Sequence, residues 1–348
     1  MEIIHTFAHH LKKRQRLPMR SKLAIVAIIG LLVLFFGGVS LSDNNEPITY
    51  NNQEAYQFFR IKEVGPNFCG EELPFTNDEV RTRYEKQLGV YTYHRHSTEI
   101  LLKRANRWFP TIEKIIKENG LPEDFKYLAL IESNLTNVTS RRGAGGFWQF
   151  VPRTGRYFGL RIDNELDERL NPIAATEAAC RYFKKSQDGL NTSWTNVAAS
   201  YNMGVYGMKK RIKQQGTDDY YSLKLNKETT GYLYKIAVLK EIYEHQEKYG
   251  FDCHDEVKVY SNNVVESTVN KNIEDLESFA YSRGMSMNQL RKLNPWLVGN
   301  SLSSSKKQAV RLILPEGHLH ARVSKSHAKD IVLNTSKLTL REELAYGY

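Results

Sequence analysis

The stretch Leu121-Pro-Glu-Asp-Phe-Lys-Tyr-Leu-Ala-Leu-Ile-Glu-Ser-Asn134 predicts a helix with one residue out of place. Gly120 ends the helix before it, and Pro122 suits a first turn, where its missing N–H forfeits no bond. Phe125, Leu128, Ala129 and Glu132 then fall at i, i+3, i+4 and i+7, so a carboxylate stands where the helical period calls for an apolar side chain. Two readings fit. Either the helix frays near Ser133 and Glu132 points to water, or Glu132 is partly desolvated among Leu130, Ile131 and Leu135, which raises a carboxyl pKa toward the range of a general acid.

Downstream, residues 140–155 set four glycines around Phe147, Trp148 and Gln149 and close on Pro152, the start of a new helix. Glycines let a ligand approach the backbone. Trp148 is either a ring for stacking on a sugar or a core tryptophan, and Gln149 has both a donor and an acceptor for hydroxyl or acetamido groups. In Val197-Ala-Ala-Ser-Tyr-Asn-Met-Gly204, Tyr201 and Asn202 either line a groove or, for Asn202 with Gly204, cap a helix. Glu228-Thr-Thr-Gly-Tyr232 opens a long amphipathic helix with Ile236, Leu239 and Tyr243 on one face.

Helix start and stop signals recur from Asp78 to Gly250, including Asn171-Pro172 as N-cap and first helical residue, and strand-like alternation is scarce there. After Cys253 the pattern changes to a strand at Val257–Tyr260, helices at Ile273–Gly284 and Ser286–Leu293, and a strand at Val310–Leu314. The expected fold is therefore mainly α with a small α+β module.

At the other end, Lys12, Lys13, Arg14, Arg16, Arg20 and Lys22 precede an uncharged apolar run from Leu23 to Leu41, long enough to span a bilayer as a helix. A cleaved signal peptide has a shorter apolar region, so an uncleaved anchor is expected, with the basic end in the cytoplasm and the rest across the membrane. The net charge of +10 is thus partly a topology signal and does not indicate nucleic acid. The domain plan reads: basic N-terminus 1–22, transmembrane anchor 23–41, linker 42–77, helical domain 78–252, small module 256–316 and an unassigned tail 317–348. Three cysteines exclude a disulfide scaffold, and their spacing indicates neither a metal site nor any other cofactor. Cys69 and Cys253 bracket the helical domain and are placed to pair in an oxidising compartment, whereas Cys180 reads as core.

The order Ile131-Glu-Ser-Asn134, Gly143-Ala-Gly-Gly-Phe-Trp-Gln-Phe150, Ala198-Ala-Ser-Tyr-Asn-Met-Gly204 and Glu228-Thr-Thr-Gly-Tyr232 resembles the soluble-lytic-transglycosylase-like family over about half the chain. The resemblance implies a lysozyme-like helical domain that cleaves peptidoglycan glycan strands between N-acetylmuramic acid and N-acetylglucosamine in the cell envelope. It implies Glu132 as acid and base, Ser133 as its hydrogen-bonding neighbour, and Phe147, Trp148, Gln149, Tyr201, Asn202 and Tyr232 around the substrate. Met203 and the Phe147–Trp148 pair depart from the family pattern, which affects subsite fit. Residues 275–296 look like a diverged LysM repeat, implying a glycan-binding module with Trp296 as an exposed probe of sugar binding. The rival readings are a hydrolase similar to goose-type lysozyme, drawing a second carboxylate from Asp163, Glu165, Asp167 or Glu168, and an inactive wall-binding protein.

Overall fold

The computed structural model describes residues 65–253, 264–306, 308–315 and 334–335. The basic N-terminus, the apolar run 23–41, most of the expected linker, the stretch 257–260 and nearly all of the tail lie outside the described residues. Within them, no helix is long and apolar enough to cross a membrane.

The last part of the expected linker belongs to the helical body. Strands β1 (Asn67–Phe68) and β2 (Glu71–Glu72) form a hairpin whose turn is made by Cys69 and Gly70, both at positive φ. Phe68, Leu73 and Phe75 are buried, so apolar residues that show no period in sequence are spaced by a hairpin and not by a helix. Asn77 caps α1 (Asp78–Tyr93) by accepting from the N–H groups of Glu79 and Val80, and α1 buries Val80, Tyr84 and Leu88, one side of its surface.

Helix α2 (Arg95–Glu118) packs Ala105, Phe109, Ile112 and Ile116 inward. After a 3₁₀ turn at Glu123–Phe125 comes α3 (Lys126–Ser133), which ends where Asn134 takes the left-handed conformation and its N–H returns to the Leu130 carbonyl. Then follow α4 (Pro152–Tyr157), α5 (Pro172–Leu190), α6 (Trp194–Met203), α7 (Val205–Gln215) and α8 (Lys227–Glu244). Asn171 caps α5 with Pro172 at its first position, as the sequence predicts. Helix α8 packs against α1, α3 and α6, while α5 packs against α2 and α6. The core between them is aromatic: Phe125 stacks on Phe183 at 4.2 Å, and Trp148 meets Phe183 edge-on. Each such ring, fully buried, contributes about 1.5–3 kcal/mol by desolvation alone.

The C-terminal module runs strand, helix, helix, strand, but its first described strand is β3 (Val264–Val269), a stretch not read as a strand in the sequence, while the expected strand at 257–260 lies outside the described residues. Helices α9 (Leu276–Ser282) and α10 (Met287–Leu293) follow, capped by Asp275 and by a Ser286–Gln289 capping box. Strand β4 (Val310–Pro315) then pairs antiparallel with β3, Val269 opposite Val310, and β5 (Asn334–Thr335) pairs with the other edge of β3. Asn294, in the Leu293-Asn-Pro295 run after α10, has a buried amide that donates to the Leu290 and Ile313 carbonyls and accepts from the Ile313 N–H, tying α10 to β4. Trp296 is 3% exposed, because the chain after α10 folds back onto the helical body, and so it does not present an exposed ring to sugar. Cys69, Cys180 and Cys253 are all free thiols, so the expected pairing of Cys69 with Cys253 is absent.

Candidate active site

Glu132 sits in the last turn of α3, which ends at Ser133 as expected, but its carboxyl is bonded to a phenol from another helix and does not simply point to water. The Tyr232 hydroxyl, projecting from α8, donates to Glu132 Oε1 at 2.6 Å. Burial raises the pKa of Glu132, and the nearby Glu228 carboxylate adds to the rise. The Tyr232 hydrogen bond and the Lys235 ammonium oppose it without cancelling it. Tyr232 is itself 5% exposed, and burial beside a carboxylate pushes its pKa well up, so it remains a phenol and a donor.

Tyr201, from α6, is a second, half-buried phenol near this carboxyl, and its hydroxyl donates to the Trp148 carbonyl at 2.6 Å. Tyr201 therefore fastens the glycine loop to α6. Ser133 does the same from α3, its hydroxyl bonding the Phe147 carbonyl at 2.9 Å. The expected bond from Ser133 to Glu132 is replaced by this one, because Ser133 faces the interior.

Within the loop, Gly145 bridges to Thr139 and to Phe150. Gly146, at φ 73°, lies so close to Arg169 that a Cβ would run into the Arg169 carbonyl. Gln149 is also at positive φ, and its amide nitrogen donates to the carbonyls of Val138 (3.0 Å) and Gly146 (2.8 Å). Its donor is thus spent on its own loop, and its oxygen remains to accept from a ligand. Trp148 is 0% exposed, its ring N–H donating to Thr176 Oγ1, and Phe147 is buried edge-on against Trp108. Neither ring can stack on a sugar; the expectation for both is corrected, since a loop closing over a small helical body turns its aromatic pair inward.

Asn202 is held by protein partners at both ends of its amide. Its amide nitrogen donates to Glu228 at 3.0 Å, and its oxygen accepts from the Thr229 hydroxyl at 2.7 Å, clamping the end of α6 to the start of α8. Sequence reading missed the other halves of these contacts, Glu228 and Thr229, although both lie in the quoted Glu228–Tyr232 element. It also missed Arg169, whose partner carbonyls lie up to 26 residues away on the glycine loop, beyond any local signal. Asp163 and Glu165 are paired with Arg161, Asp167 with Arg169, and Glu168 with the Arg161 N–H. Among the described residues no group of His, Cys, Asp and Glu side chains is arranged to hold a metal ion.

Residues 110–224 match the transglycosylase SLT domain, and residues 265–318 the soluble lytic transglycosylase C-terminal LysM-like domain. The first match takes in Glu132, Gln149, Tyr201 and Asn202. The chain is 28% identical over 261 residues to membrane-bound lytic murein transglycosylase D of Escherichia coli strain K12, and equally to that of Escherichia coli O6:H1. The match covers 72% of this chain and 55% of the relatives, so the chain spans about half the length of the curated proteins it resembles. An inactive mutant of the lytic transglycosylase Slt from Pseudomonas aeruginosa aligns at 18% identity over 42% of this chain and 25% of that one, with a TM-score of 0.31, too slight a likeness to bear on the reading. The chain carries a transglycosylase SLT domain followed by a lytic-transglycosylase LysM-like domain.

Proposed function

We propose that this chain is a peptidoglycan lytic transglycosylase, cleaving the β-1,4 bond from N-acetylmuramic acid to N-acetylglucosamine without water. The observation that carries the reading is the carboxyl of Glu132, whose pKa burial raises and which the Tyr232 hydroxyl orients. A two-carboxylate glycosidase needs a second acidic group beside the bond. Asp163, Glu165, Asp167 and Glu168 are committed to arginines or backbone instead, and Glu228, the carboxylate near Glu132, accepts from the Asn202 amide, which disfavours hydrolysis on the lysozyme plan.

One carboxyl suffices if the muramic acid's own C6 hydroxyl is the nucleophile, delivered within the same molecule at high effective concentration. Protonated Glu132 donates to the glycosidic oxygen as the C1–O bond breaks, with the substrate's acetamido group stabilising the charge at C1. The Glu132 carboxylate then takes the proton of the C6 hydroxyl as its oxygen bonds to C1. The products are a free N-acetylglucosamine end and a 1,6-anhydro-muramic acid end, and Glu132 recovers its proton. Gln149 Oε1 is a polar atom of the glycine loop available to receive a sugar hydroxyl.

The proposed setting is the bacterial envelope: residues 23–41 as an inner-membrane anchor, the helical domain in the periplasm, and the LysM-like module holding N-acetylglucosamine-containing strands. The test is digestion of purified sacculi. Wild-type protein is expected to release fragments lighter by one water than hydrolysis products, and Glu132→Gln to release none while still binding glycan. Fragments with reducing muramic acid ends, or full activity of the variant, would overturn the proposal.

A further inference from the structure

The loop between α4 and α5 faces two ways. On one side it holds the C-terminal module: the Val298 and Gly299 N–H groups donate to the Glu165 carbonyl, and the Glu165 carboxylate accepts from the Ser301 hydroxyl (2.8 Å) and from both the N–H (2.9 Å) and the hydroxyl (3.2 Å) of Ser303. Leu166 bridges to Leu297, and the Asp167 N–H donates to the Trp296 carbonyl at 2.9 Å. The fit is close, since a Cβ on Gly299 would lie 2.8 Å from both the Asn164 carbonyl oxygen and Glu165 Cα.

On its other side the loop holds the glycine loop of the site. The Asp167 carboxylate takes a two-pronged bond from the buried Arg169 guanidinium, at 2.9 and 2.7 Å. Arg169 Nη1 then donates to the carbonyls of Gly143 (2.6 Å) and Phe150 (3.0 Å), the two ends of the glycine loop. That loop in turn receives Ser133, the neighbour of Glu132, and Tyr201 on its Phe147 and Trp148 carbonyls.

We propose that Arg169 is a positioning residue for Glu132 and that the docked C-terminal module sets Arg169 through Asp167, so the module serves turnover as well as glycan retention. The rate part rests on the transglycosylase reading; the mechanical part does not. One backbone N–H of the same residue whose carboxylate grips Arg169 is spent on Trp296, so loosening the module frees the Asp167 backbone and with it the anchor of the guanidinium. Because side chains and carbonyls in this chain are joined end to end by hydrogen bonds, a shift at one end has no soft link in which to dissipate; coupling between the ends is the property that must be measured.

The experiment uses the full chain with Gly299→Ala, the milder Ser303→Ala, Arg169→Lys, and the double variant Gly299→Ala with Arg169→Lys. Hydrogen exchange is read at the bonded amides of Gly145, Gly146 and Gln149, and kcat and KM on soluble glycan strands. Gly299→Ala is expected to speed exchange at these three amides about tenfold or more, and to lower kcat about tenfold with KM changed less than about twofold. The double variant is expected to be no worse than Arg169→Lys alone, since both break one chain. Tyr281→Ala, on the exposed face of α9, should change neither readout. Ser303→Ala gives the same pattern in smaller measure should Gly299→Ala not fold. Unchanged exchange at the three amides when the module's own amides are loosened would overturn the coupling, as would additive losses or a change in KM alone. A wild-type chain inert on glycan, with the exchange pattern present, would instead sink the transglycosylase reading and leave the coupling standing.

Discussion

Tyr232 donates its hydroxyl to Glu132 Oε1 across 2.6 Å, joining α8 to the last turn of α3. The bond fixes the direction of the carboxyl and favours its ionised form, opposing the burial that favours the proton. Tyr232→Phe removes the opposition, so the pKa of Glu132 rises further. The limb of the pH–rate profile on which the acid loses its proton is expected to move to higher pH, while the maximal rate falls about tenfold or more as the carboxyl loses its orientation. Release of soluble fragments from sacculi across a pH series measures both; a limb that stays in place would show that this bond does not control the proton.

Burial of Glu132 also makes a statement about stability. Its pKa is raised in the folded chain, so between the ordinary carboxylate value and the raised one the folded state binds more protons than the unfolded state. Stability is therefore greatest below the ordinary value and falls as pH rises through that window. Gln carries no charge, so Glu132→Gln is expected to be more stable than wild type at pH 7, on the order of 1 kcal/mol or about 2–4 °C in Tm. The gap should narrow toward about pH 4, where wild-type Glu132 is protonated too. Urea melts at the two pH values would reveal it, and an equal gap at both would contradict the sign.

Trp148 separates a packing role from a sugar-stacking one. Its ring is wholly enclosed and its N–H ends on Thr176. Trp148→Phe leaves a void and removes a buried hydrogen bond, with an expected loss of about 1–3 kcal/mol in stability. KM for glycan strands should stay close to wild type, and a large rise in KM at unchanged stability would return the ring to the substrate.

How far the sequence reveals such assignments depends on the range of the interaction. The helix carrying Glu132, the Asn171–Pro172 start of α5 and the helix pair of the C-terminal module rest on signals within a turn or two, and those are legible. Glu132 itself is legible because it interrupts a period. The inward turn of Trp148, the commitment of Asn202 to Glu228 and Thr229, and the reach of Arg169 to Gly143 and Phe150 are settled by which elements meet in space. A glycine-rich loop with an aromatic pair reads alike whether the rings face ligand or core. The hairpin at residues 67–72 was hidden for a related reason: two strands of two residues have no period to detect.

That hairpin supports the domain from outside its sequence boundary. Both oxygens of Glu71 accept from the first turn of α6, from the Trp194 N–H at 2.6 Å and the Thr195 N–H at 2.9 Å, alongside the Ser193 cap. A carboxylate at this end also interacts favourably with the helix dipole. Glu71→Gln keeps one acceptor and loses the charge, with an expected destabilisation of about 1–2 kcal/mol. A chain begun at Asp78 should lose more, since Phe68, Leu73 and Phe75 leave the core with the hairpin. Thermal melts of the two would tell whether residues 65–77 are linker or fold, the linker reading requiring no change in either.

Asn202 tests whether the polar residues around the site act on substrate or on geometry. Its amide presents a donor to Glu228 and an acceptor to Thr229, so it is matched to both partners in only one orientation. Asn202→Asp keeps the acceptor for Thr229 but sets a second carboxylate against Glu228, which already lies close enough to Glu132 to raise its pKa. The start of α8 should be pushed away from α6, and Tyr232, one turn farther along α8, with it. Activity is expected to fall about tenfold or more, with stability reduced by about 1–3 kcal/mol near neutral pH. The stability defect should shrink as pH drops and the new carboxylate takes up a proton. In a second variant, Asn202→Asp with Glu228→Gln, the repulsion is removed and the amide nitrogen of the new glutamine can donate to the new aspartate, so most of both losses should be recovered. Had Asn202 bound the sugar directly, changing Glu228 would restore nothing, and KM would carry the defect in both variants.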